Sequence, residues 1–115
     1  MIIATNKKLL KKGHYYREYD LIIVRDIEDK EVLYHEMGHR DLCLRHPELG
    51  MRELNIHESY AQLYAYTKMG VENPMIKVLE WRCKGKYKLD SMVADKVWEE
   101  IEKANEYMEK GDPSS

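Results

Sequence analysis

No apolar run in this 115-residue chain is longer than four residues, the clearest being Met1–Ala4 and Leu21–Val24. A membrane-spanning helix needs about 20, so no span is expected. Leu21-Ile22-Ile23-Val24 instead reads as a short, buried strand inside one small domain. The composition, 43% apolar and 35% charged, is that of a chain with enough apolar surface to fold. Its first residues lack the longer apolar stretch and small-residue cleavage site of a secretory signal. Two cysteines, Cys43 and Cys83, do not make a disulfide framework, so a cytoplasmic protein is expected. A net charge of −2 supplies no general attraction to nucleic acid.

Met1–Ala4 predicts a strand, and Thr5–Lys12, with four lysines, a short helical turn stopped by Gly13. Tyr15–Val24 is aromatic and β-branched, as strands are. Asp26 or Asp29 can cap the next helix, which should run from about Asp29 to Leu44 and end before His46-Pro47. A second helix is expected from about Arg52 to Met69, closed by Gly70, and a third from Pro74 to about Cys83. Arg82, Lys84, Lys86 and Lys88 then read as a solvated basic loop. Asp90 or Ser91 caps a last amphipathic helix from about Met92 to Lys110, with Val97, Trp98, Ile101, Ala104 and Met108 on its apolar stripe. The fold class is α+β, mostly helical, with a small N-terminal sheet.

One segment carries chemistry: His35-Glu36-Met37-Gly38-His39. On a helix, residues i and i+4 share a face, so both imidazoles can grip one zinc ion. Glu36 stays off the metal but within reach of a water bound to it, whose pKa zinc lowers to about 7. Shuffling this composition yields the motif only about 2–3% of the time, and here it falls on a helix expected from periodicity, with small Gly38 allowing close approach of another element.

A catalytic zinc site usually has three protein ligands and an open position. An extended motif with glycine at 42 and histidine at 45 is ruled out by Leu42 and Arg45. A cysteine ligand upstream is ruled out because the first cysteine is Cys43. The third ligand is therefore sought on the second helix, where His57 and Glu58 both border the inner face marked by Leu54, Ala61 and Ala65. Adjacent positions differ by only about 100° around the axis, so spacing leaves both in play.

These residues resemble the gluzincins, zinc metallopeptidases in which a second helix carries the third ligand. Glu58-Ser59-Tyr60-Ala61 matches their Glu-x-x-Ala pattern, while Gln62 stands where an alternative pattern has aspartate. Chain length makes the minigluzincins, soluble minimal zincin domains of thermophilic prokaryotes, the closer resemblance. It implies a zincin-like fold, a metalloendopeptidase acting on peptide or protein substrates, Glu36 as general base and acid, and a Zn2+ ion held by His35, His39 and either His57 or Glu58. The general pattern favours Glu58 and the closer resemblance His57. It also implies a latent form in which residues 91–115 block a catalytic unit of residues 1–90, within one chain or by helix exchange in a homo-oligomer. The plainer reading of the last helix is that it completes a small core. The functional alternative is a regulatory zincin-fold module without catalysis, similar to phage-repressor-associated peptidases, which Gln62-Leu63-Tyr64-Ala65 nearly matches. His14 and His46 read as surface or structural residues. Cys43 reads as a buried thiol, and Tyr60, Tyr64 and Tyr66 as packing residues from which no oxyanion donor stands out.

Overall fold

Residues 1–49, 53–83 and 91–110 are described by a computed structural model. Strands β1 (Ile2–Thr5), β2 (Gly13–Tyr16) and β3 (Leu21–Val24) are followed by helices α1 (Lys30–Arg45), α2 (Leu54–Lys68), α3 (Pro74–Cys83) and α4 (Ser91–Glu109). This is the expected α+β class, with four helices and a three-stranded sheet among the described residues. The strand order is β1-β3-β2, with β1 parallel and β2 antiparallel to the central β3. No helix among the described residues is long and apolar enough to cross a membrane.

Local chemistry sets the helix ends. Asp29 caps α1 by accepting from the Val32 amide at 3.3 Å, while Asp26 folds the preceding turn by accepting from Glu28 at 2.9 Å. Gly70, at φ 71°, closes α2 in the left-handed conformation, and Val71 donates back to the Tyr66 carbonyl at 3.0 Å.

The expected helical turn over Thr5–Lys12 is cut short: Thr5 ends β1, the Leu9 amide closes one turn on the Asn6 carbonyl at 3.1 Å, and residues 10–12 are bends. The carbonyls from Leu9 onward are met from elsewhere. Arg25 donates Nε to the carbonyls of Leu9 (2.7 Å) and Lys11 (3.0 Å) and Nη2 to that of Leu10, and its amide donates to Lys12 (2.9 Å). Arg82 also departs from its expected loop. It lies at the end of α3, donating to Ser59 Oγ at 2.9 Å and pairing with Glu100 at 3.0 Å, and so ties α2, α3 and α4 together. Lys84, Lys86, Lys88 and Asp90 lie outside the described residues.

The elements stack in order from the sheet to α4. Ile22 and Val24 meet Leu33 of α1 beneath the sheet. Leu42 of α1 meets Ile56 and Tyr60 of α2 and Ala104 of α4. Leu63 of α2, Val78 of α3 and Val97 and Ile101 of α4 form a third cluster. Within its described residues α4 completes the core, while residues 111–115 of the expected inhibitory segment lie outside them.

The tightest contact is between α1 and α2. A Cβ added to Gly38 would lie 2.7 Å from both Cα and the carbonyl oxygen of Ala61. Those backbone atoms cannot swing aside, so any side chain at 38 forces the helices apart. Gly38→Ala is therefore expected to lower stability by about 1–3 kcal/mol, read as a drop in the urea midpoint. An unchanged midpoint would contradict the contact.

Candidate metal centre

The pair on α1 faces α2 at the point where the two helices touch. His35 Nε2 and His39 Nε2 are 3.2 Å apart. The Glu58 carboxylate reaches across from α2, with Oε2 3.1 Å from His35 Nε2 and Oε1 3.2 Å from His39 Nε2. These three side chains can hold a metal ion, since one ligand atom from each lies within 4.8 Å of the others. Burial disfavours charge on Glu58, but hydrogen bonds to His35 and His39 outweigh it and hold the carboxyl far below the usual carboxylate range. Burial also disfavours charge on His35, and there Glu58, Glu36 and Gln62 outweigh it and raise the imidazole above its ordinary value.

The structure brings Glu58, not His57, into this group. His57 is 4% exposed, and its Nε2 bonds to the Leu49 carbonyl at 3.0 Å. Its ring is stacked 6.3 Å from that of His39, on the cleft wall beside the ligand group. Of the two expected candidates, Glu58 is thus the one placed with the histidine pair, and His57 lies beside it. The reason is rotational: one residue on α2 turns toward the metal pair, and its neighbour packs against the chain entering the helix.

Gln62 lies one turn beyond Glu58, beside the first histidine of the pair. Its Oε1 lies 2.8 Å from His35 Nδ1. A neutral His35 that donates Nδ1–H to this oxygen keeps its lone pair on Nε2, the atom facing His39 and Glu58. Gln62 is 1% exposed, and its Nε2 completes no hydrogen bond of regular geometry among the described residues, although the Tyr66 hydroxyl lies near it. Trp81 of α3, its ring 5.4 Å from that of His35, closes the far side; nothing in the sequence singled it out.

Glu36 stands apart from the ligand group. It is 8% exposed and forms no hydrogen bond or ion pair among the described residues. Gly13 of the edge strand β2 makes room for it, because a Cβ there would lie 3.2 Å from Glu36 Cγ and 2.8 Å from Val32 Cγ1. Glu36 and His35 line a cavity of about 440 Å³ on one side and a smaller one of about 210 Å³ on the other. The larger is walled by β2 through Gly13, His14 and Tyr15, and by His39, Cys43, His57 and Glu58. His14 is half-buried and lines this cleft, its ring 4.5 Å from that of Tyr16.

The other weighed residues serve packing. His46 caps α1 and holds the Tyr107 carbonyl at 2.8 Å. Tyr60 is fully buried and donates to Asp41 at 2.5 Å, away from the cleft. Cys43 is half-buried, its thiol pushed up by burial, and lies outside the ligand group.

The chain matches no protein-family model, no curated protein and no solved structure.

The geometry makes distinct demands on three neighbouring residues. Glu58→Ala is expected to abolish stoichiometric metal binding. His57→Ala should keep the metal and lose about 1–3 kcal/mol of stability through the unpaired Leu49 carbonyl. Gln62→Ala should weaken affinity about 10–100-fold. Competition with a chromophoric chelator, alongside urea titration, separates the three; full metal uptake by Glu58→Ala would refute the ligand set.

Proposed function

We propose that the protein is a zinc-dependent peptidase with Glu36 as its proton carrier. The observation that carries this reading is the spacing of the three ligand side chains. Around a tetrahedral zinc with bonds of about 2.0–2.1 Å, neighbouring donors stand about 3.3–3.4 Å apart. The two imidazole nitrogens here are 3.2 Å apart, Glu58 meets each through a different carboxylate oxygen at 3.1 and 3.2 Å, and one donor atom from each residue lies within 4.8 Å of the others; two nitrogens with one carboxylate suit zinc. When bound, zinc supplies Lewis acidity and lowers the pKa of a water molecule to about 7.

The chain's own residues supply the rest. Gln62 holds His35 in its metal-binding tautomer. Glu36, which forms no hydrogen bond or ion pair among the described residues, accepts a proton from the attacking water and delivers it to the departing amide nitrogen. The edge of β2 not paired with β3 offers backbone groups along the cleft, where an extended polypeptide can pair as an added strand. That edge favours a peptide over a compact small molecule as the substrate.

The test is hydrolysis of an internally quenched peptide mixture by the zinc-loaded chain. Glu36→Gln is expected to cut turnover by about 10²–10⁴ with zinc stoichiometry unchanged. A chelator should abolish turnover, and added zinc should restore it. Turnover retained by Glu36→Gln would overturn the mechanism.

A further inference from the structure

The lysine-rich segment has no part in the chemistry above, yet the fold holds it at the cleft. Arg25 fixes the carbonyls of four successive residues, Leu9 to Lys12, and so sets where their side chains emerge. Lys11 lines the larger cavity and Lys12 the smaller. Arg17, on the turn after β2, joins Lys11 in the larger cavity, beside Cys43 and His14. Lys11 and Arg17 are exposed, and neither forms an ion pair among the described residues.

The carboxylates lining that cavity are Glu36 and Glu58, and both are committed to the metal centre and its chemistry. A divalent ion would balance those two charges and leave Lys11 and Arg17 uncompensated. Across Glu36 the lining changes sign, because the smaller cavity presents Asp29 and Glu31 against Lys12, beside Val32 and Trp81. The chain as a whole carries a net charge of −2, so the positive recess is a local arrangement.

We infer that the cleft selects polypeptides with an acidic side chain on one side of the scissile bond, received by Lys11 and Arg17. The inference rests on the peptidase reading only for where the bond lies. The acidic residues of the smaller cavity make the preference one-sided, because a second carboxylate there would meet like charge.

The test uses the full-length, zinc-loaded Glu36→Gln chain and three fluorescent peptides differing only at one residue, Glu, Gln or Lys, made in two sets that place it before or after the central bond, of which one set is expected to discriminate. In about 50 mM salt, where screening is weak, the Glu peptide is expected to bind about tenfold more tightly than the Gln peptide, as two surface charge pairs would give. The Lys peptide should bind more weakly still. Raising the salt to about 0.5 M should shrink these differences, and Lys11→Glu with Arg17→Glu should reverse them while zinc content stays stoichiometric. Equal binding of the three peptides, or a preference that survives the double substitution, would overturn the inference. Wild-type cleavage of a random peptide library separates the two readings. Acid-selective binding without any cleavage removes the peptidase and keeps the recess; cleavage without enrichment of acid on one side removes the recess and keeps the peptidase.

Discussion

The approach of α1 to α2 at Gly38 and Ala61 is the contact on which the site depends. With backbone against backbone, the Glu58 carboxylate arrives 3.1–3.2 Å from two imidazoles that its own helix does not carry. The same approach seats Leu42 against Ile56 and Tyr60, so the core and the ligand group are set by one interhelical distance. A second close approach, Gly13 over Val32 and Glu36, places the edge strand beside the general-base candidate. Two glycines thus bring three elements to one point.

Polar residues buried near that point follow a consistent logic. Gln62, His57 and Ser59 lie on a helix that is enclosed by α1 on one side and α3 and α4 on the other. Each is retained with a partner: the His35 ring, the Leu49 carbonyl and the Arg82 guanidinium. Burying such groups without hydrogen bonds would cost several kcal/mol, so their presence constrains the position of α2 about its axis.

Much of the fold was legible because its signals are local. Asp29 before α1, Gly70 after α2 and Pro74 at the start of α3 act within one helical turn, and each α-helix appears within about two residues of its expected place, while the expected strand region Tyr15–Val24 is broken by a 3-10 turn at Arg17–Tyr19. The second half of the Thr5–Lys12 segment was misread because its carbonyls are met by Arg25, more than ten residues away, and periodicity carries no trace of a distant donor. Arg82 was misplaced for a related reason, since its partners Ser59 and Glu100 belong to other helices.

The sequence alone determined the histidine pair and the carboxylate beside it, because the separation of residues i and i+4 is a property of any α-helix. It also narrowed the third ligand to two neighbours. Only the tertiary structure brought Glu58 rather than His57 up to the pair, set Gln62 and Trp81 against the His35 ring, and gathered Lys11 and Arg17 at the cleft. Those relations depend on how closely and at what rotation separate elements pack, and that is settled by contacts such as Gly38 on Ala61 that no single segment contains.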